Sequence, residues 1–237
     1  MRSSCATPPL PHFGFPARLP ISPPLFGRKR RYDRSRLLAD AASAQRKGKL
    51  RKAADCYREV LAAEPGNVDL ERKLAPLLAK TKQHAEAWRS YRRSAEGLAQ
   101  HGFVDRAIGV YREAAQHLPR QGELWLALAE LELKRGRRPD AVQALTQGAR
   151  GLRSRKDRPL ALRLLERAHE LDPSAFEVSF ELADRLARAG KRERALKLLE
   201  QLAANKNSRI RRRVRGRQLR IAPGPRAAWR WLHALVA

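Results

Sequence analysis

A chain of 237 residues, 43% of them hydrophobic, has enough apolar material to bury the core of one large domain or two small ones, which excludes disorder throughout. Ala, Leu, Arg and Glu dominate and β-branched residues are scarce, so an all-α protein is expected. No apolar run approaches the ~20 residues of a membrane span, so no transmembrane segment is expected. The net charge of +27 lies mostly at the ends: residues 1–34 carry seven Lys and Arg against Asp33 alone, and residues 205–237 carry ten and no acid.

The opening stretch, MRSSCATPPLPHFGFPARLPISPPLFGRKRR, is broken by prolines and lacks the continuous apolar segment of a secretory signal. Residues 1–34 read as a Pro-rich, basic, disordered tail. A start codon placed too early is a second reading, and an organellar leader, since no acid precedes Asp33, is a third.

Beyond residue 34 the chain repeats itself. Pairs of a small and a large residue one helical turn apart stand at Ala53/Tyr57, Ala87/Tyr91, Ala107/Tyr111, Ala141/Leu145, Ala161/Leu165 and Ala195/Leu199, with successive alanines 34, 20, 34, 20 and 34 residues apart. A second alanine stands twelve residues before each: Ala41, Ala75, Ala95, Ala129, Ala149 and Ala183. Seven residues after that second alanine come Gly48, Gly102, Gly136 and Gly190, with Lys82 and Lys156 in the other two units. Each unit therefore reads as a helical hairpin. Its first helix ends in a left-handed glycine cap, and its alanines let two backbones approach while the large residue fills the seam toward the next unit. Pro65, Pro119 and Pro173 stop second helices, and Ser174 with Glu177 offers a capping box for the helix that follows.

This pattern resembles the tetratricopeptide repeat family, whose 34-residue unit carries W-x2-L-G-x2-Y, then A-x3-F, then P. The fullest match is WLALAELELKRGRRPDAVQAL, with Trp125, Leu128, Ala129 in the glycine place, Ala141 and Leu145; Glu132 departs from it, standing where the signature has tyrosine. The 20-residue steps are accommodated if Tyr91/Ala95 and Leu145/Ala149 each end one unit and begin the next. The resemblance implies a right-handed superhelical α-solenoid over residues 35–204, of about ten antiparallel helices near 37–47, 51–63, 69–80, 84–100, 104–117, 122–135, 139–153, 158–171, 175–189 and 193–204. It also implies a peptide or partner helix bound on the concave surface, lined by first helices. Family members that clamp chaperone carboxylate tails use asparagine and basic residues there. Directly after the first alanine of each unit this sequence has Ala42, Pro76, Glu96, Glu130, Arg150 and Asp184, so no clamp of that type is expected.

Nothing points to catalysis. The six histidines have no metal-ligand spacing, and His169 at a helix end reads as a capping or solvated residue. Cys5 and Cys56 form neither a disulfide framework nor a C-x-x-C motif; Cys56 reads as a small core residue, and a reducing, cytoplasmic setting fits best. Phosphate-binding and nucleophile-elbow motifs are absent. No catalytic, metal-ligating or cofactor-binding residue is assigned, and the reading is a non-enzymatic interaction scaffold.

Charge supplies the alternative. In an up-down array the turns after odd-numbered helices share one edge, with Lys47, Lys49, Arg51, Lys52, Arg153, Arg155, Lys156, Lys191 and Arg192 as main contributors. These turns read either as solvated loops or as a surface for an anionic partner. Arginine outnumbers lysine 39 to 12, a bias that a GC-rich bacterial genome produces as readily as a function does. Residues 205–237 read as an Arg-rich segment (Arg209, Arg211, Arg212, Arg213, Arg215, Arg217 and Arg220) followed, after a Pro-Gly-Pro break, by an amphipathic helix with Ala228, Trp231, Leu232 and Leu235 on one face. Three readings fit. The helix caps the open end of the solenoid, or it lies on an anionic membrane with Trp229 and Trp231 at the headgroups, or the arginines neutralise nucleic-acid phosphates.

If the alanine seam is structural, enlarging it must hurt. Ala107→Leu is expected to destabilise the fold by roughly 1 to 3 kcal/mol through overpacking, read as a lower urea midpoint.

Overall fold

The computed structural model describes residues 32–204 and 207–236. Among the described residues there are twelve α-helices and no strand: α1 (Arg34–Arg46), α2 (Leu50–Ala63), α3 (Val68–Lys80), α4 (His84–Gln100), α5 (Val104–His117), α6 (Gly122–Lys134), α7 (Arg138–Gly151), α8 (Arg158–Leu171), α9 (Phe176–Arg188), α10 (Arg192–Ala203), α11 (Ser208–Ile221) and α12 (Pro225–Val236). All twelve lie in one compact unit, Arg34–Ala237. Met1–Asp33 is a separate unit of which only Tyr32 and Asp33 are described, so the expectation of a proline-rich tail falls outside the described residues.

Every helix packs on the helix before and after it, which makes the unit an α-solenoid. The repeated alanines explain how. Ala41, Ala53, Ala75, Ala87, Ala95, Ala107, Ala141, Ala149, Ala161, Ala183 and Ala195 are 0% exposed and Ala129 is 3% exposed, so a larger side chain at any of them has nowhere to go. The large residues one turn on, from Tyr57 to Leu199, are buried beside them. Burial pushes the Tyr111 phenol up to about 12, with Glu96 adding to the rise, so the hydroxyl stays neutral at the seam.

The alternating steps resolve into a longer period. Ala75, Ala129 and Ala183 are 54 residues apart, and besides the sequential contacts α3 touches α5, α6 touches α8 and α9 touches α11. The repeating block is thus a three-helix group, present as α3–α5, α6–α8 and α9–α11. The middle group shows the seam at its tightest. A Cβ added at Gly148 on α7 would stand 2.4 Å from the Trp125 ring of α6, so the indole lies directly on bare backbone.

Three features differ from the sequence reading. The Arg-rich segment is itself a helix, α11; its apolar positions Ile210, Val214, Leu219 and Ile221 are outnumbered by arginines, which conceal the helical stripe. The Ser174/Glu177 capping box does not form. Ser174 donates its hydroxyl (2.6 Å) and its backbone N–H (2.9 Å) to Asp172, while Glu177 is drawn to Arg213. His169 is neither a cap nor simply solvated, because its Nδ1 shares a 2.9 Å hydrogen bond with the hydroxyl of Ser179, linking α8 to α9.

Turn geometry follows the glycines in four units, and the two lysine units differ: among the described residues Lys82 takes the left-handed conformation and Lys156 does not, so the unit of Lys156 lacks the expected cap. Gly48, Gly102, Gly136 and Gly190 have φ between 68° and 83°, and Lys82, at the same register, is held at φ 65°. A side chain in that left-handed conformation costs energy that glycine does not incur. Lys82→Gly is therefore expected to stabilise the chain by about 1 kcal/mol, seen as a higher urea midpoint at unchanged slope.

Candidate functional site

Two kinds of groove run between the helices, and they use different stripes of α6. The first is the one expected from the first helices. Ala99 of α4, Tyr111 of α5, and Ala127 and Leu131 of α6 form its apolar floor, and Glu96, Gln100, Glu130 and Lys134 its polar rim, enclosing about 420 Å³. Glu96 is engaged by Arg92 at 2.8 Å. Further along the solenoid the equivalent positions are filled by internal pairs: Arg150 with Glu181 at 2.9 Å and Asp184 with Arg217 at 3.5 Å. Arg185 turns inward there and donates to the carbonyls of Ala149 and Leu152, both at 3.0 Å, satisfying the end of α7. The groove is thus open between α4, α5 and α6 and bridged from α7 to α11.

The second groove lies between α5, α6 and α7, is lined among others by Arg112, Trp125, Glu132, Asp140, Gln143 and Gln147, and holds about 390 Å³. It recurs 54 residues later between α8, α9 and α10, where Glu166, His169, Leu186, Arg194, Lys197 and Gln201 line about 440 Å³. One framework therefore presents the same hollow with different chemistry.

The tail residues singled out from sequence are divided by the fold. Arg213 pairs with Glu177 of α9, Arg215 with Glu200 of α10 at 3.1 Å, and Arg217 with Asp184 of α9. The Arg213 and Arg217 guanidinium groups also stand over the buried Phe180 ring, 4.6 and 4.3 Å from its centre. These three arginines seal α11 onto α9 and α10. Arg211 is half-buried and Arg212 exposed. Trp231 faces Gly216 of α11, whereas Trp229 is 66% exposed and stacks on His233 at 5.4 Å. The basic turn residues, from Lys47 to Arg192, are all exposed and make no ion pair among the described residues; Lys49, Arg51 and Lys52 share a cleft with Lys80 and Lys82. Cys56 is half-buried against the core, and burial raises its thiol pKa.

Helical hairpins stacked in register define the molecule as an α-solenoid of the helix-turn-helix repeat class. Residues 92–152 match the model of the tetratricopeptide repeat family, so that segment carries tetratricopeptide repeats, and its alanine register extends from Ala41 to Ala195. No curated protein matches it. Similar solved structures include a putative kinesin light chain from Podosopora anserina with nearly identical TPR-like repeats, at 20% identity over 87% of this chain and 93% of that one, with a TM-score of 0.36. A tetratricopeptide repeat protein from Parabacteroides merdae gives 16% identity over 86% and 92%, TM-score 0.27. MamA gives 17% over 83% and 92%, TM-score 0.28. No helix among the described residues is long and apolar enough to cross a membrane.

The seal on α11 carries a pH dependence. The hydrogen bonds from Arg213 hold the Glu177 carboxyl below its ordinary range, and Gln218 and Arg215 do the same for Glu200. Carboxyls lowered in the folded state stabilise it fully above the ordinary carboxylate pKa and lose that contribution as pH falls through the folded value. Acidification from about pH 6 to about pH 3 is expected to reduce hydrogen-exchange protection of α11 before that of α6. Simultaneous loss in both helices would show that these pairs do not control the docking.

Proposed function

We propose that the chain is a non-catalytic protein-interaction scaffold that holds a peptide or partner helix along the groove formed by its first helices, in a reducing, cytoplasmic setting. The observation that carries this reading is the open groove between α4, α5 and α6. An apolar floor of Ala99, Ala127, Leu131 and Tyr111 beneath a charged and amide rim is the composition a protein segment needs, with burial for affinity and polar contacts for register. The family's repeats support it, as does the stacking of neighbours that leaves one face of each helix free. The alternative, a basic adaptor on nucleic acid or anionic membrane, is weakened at its strongest point, because Arg213, Arg215 and Arg217 are spent within the fold.

Panning a random peptide display library against the full chain tests this. Selected peptides are expected to compete with one another and to bind about tenfold less tightly, roughly 1.4 kcal/mol, to Ala127→Arg, which fills the groove from a half-buried position. Selected peptides that bind Ala127→Arg as well as the original chain would overturn the assignment of the groove.

A further inference from the structure

Glu132 is where the three-helix group departs from its own pattern. The equivalent residues 54 positions before and after are Leu78 and Leu186, 0% and 3% exposed. Leucine therefore meets every packing demand at this place, yet the middle group puts a carboxylate there and buries it to 1% exposure, at a desolvation cost that needs compensation. Only half is compensated. Oε1 accepts a 2.7 Å hydrogen bond from Arg112, while Oε2 accepts none, the Arg137 guanidinium standing 4.0 Å away and out of hydrogen-bonding range.

The same substitution opens a second group. At the equivalent places 54 residues before and after, a salt bridge links the outer two helices: Arg58 of α2 with Glu86 of α4 at 2.7 Å, and Glu166 of α8 with Arg194 of α10 at 3.1 Å, the same two positions with the charges exchanged. The middle counterparts are Arg112 and Asp140, and they would make the third such bridge. Instead Arg112 is drawn to Glu132, and the half-buried Asp140 carboxylate makes no ion pair or hydrogen bond among the described residues. Gln143 and Gln147, lining the same groove, also leave their amides unengaged. Arg112 balances one of the two carboxylates in the lining, which leaves the lining with one net negative charge, a carboxylate oxygen without a hydrogen bond and two exposed amides.

We propose that this groove receives a lysine or arginine side chain of a partner polypeptide, its cationic head bonded to Oε2 of Glu132 and paired with Asp140. A cationic donor satisfies both carboxylates at once, which a neutral or anionic guest does not. The stem runs beside Trp125, which lines the groove and is anchored by a 3.1 Å hydrogen bond from its indole N–H to the Pro119 carbonyl. The site lies on a different stripe of α6 from the first-helix groove, so the two stand or fall separately.

The test is an NMR titration of the 15N-labelled full chain with butylguanidinium and butylammonium, following the Trp125 indole signal, with butanol and magnesium as comparisons. A saturable shift with the organic cations and none with butanol or magnesium is expected. Glu132→Leu is expected to fold at least as stably as the parent, since leucine occupies both equivalent sites, and to weaken binding about tenfold or more, the loss of a charge-assisted hydrogen bond. Asp140→Asn should weaken it less, and Ala127→Arg not at all. No shift with either cation, a folded Glu132→Leu that binds unchanged, or a response to magnesium in place of the organic cations would each overturn the proposal.

Discussion

The close approach of helix backbones at fully buried alanines is the constraint on which the rest depends. No single helix here buries its apolar face alone, so each must find neighbours on two sides, and the distance to them is set by the smallest residue at the crossing. At 0% exposure an alanine fixes that distance to within a methyl group, and Tyr57, Tyr91, Tyr111 and their leucine successors then have seams of defined width to fill. Where the approach is closer still, Trp125 against Gly148, even a Cβ is excluded. The equivalent position to Trp125 in the next group is Ser179, and that to Gly148 is Leu202, so bulk has moved from one helix to the other while the register is kept.

A framework fixed by small residues is free to vary elsewhere, and the three groups differ in how they spend their charge. The bridge at Arg58–Glu86 reappears inverted at Glu166–Arg194, which shows that the pair matters for its complementarity and not for its polarity. Pairs this exposed contribute little each. Their absence has more effect than their presence, because a missing partner leaves a hollow with unsatisfied groups. Glu132 creates that state in the hollow between α5, α6 and α7, and the open first-helix groove adjoins it between α4, α5 and α6, bounded by Glu96 and Glu130. The functional interest of the molecule therefore concentrates between α4 and α7, the segment in which the family signature is fullest.

What the sequence makes legible follows from how local each cause is. Alanine spacing and glycine turns are local, and the ten helices from α1 to α10 fall within a few residues of where those signals place them. Glu132 was visible as a departure from the family signature, but its consequence was not, since Asp140 loses its partner only through an arginine 20 residues away from Glu132 on another helix. The capping box failed for a related reason: Glu177, free in sequence, is claimed by Arg213, 36 residues on. Helix α11 was concealed because the residues that dock it are the arginines that make it look like a solvated run. Ring stacking over Phe180 and pairing with Glu177 and Asp184 turn them inward, a use of arginine that composition does not distinguish from a polyanion-binding tail.

Formal charge is accordingly a poor guide to field in this chain. Three of the ten basic residues in the last segment are neutralised within the fold, whereas the turn residues Lys47, Lys49, Arg51 and Lys52 are exposed and make no ion pair among the described residues, and the last three surround, with Lys80 and Lys82, one cleft without an acid among its lining. Lys82 joins that cluster in a backbone conformation that its glycine counterparts adopt freely, so one of the positive charges at this edge is held at a conformational cost. The excess that reaches solvent is thus displaced from the end of the chain, where counting puts it, toward the turns at its beginning. A partner steered by electrostatics would meet the edge of the first two hairpins before it met α11, while the grooves that select it by shape and hydrogen bonding lie at the middle of the solenoid.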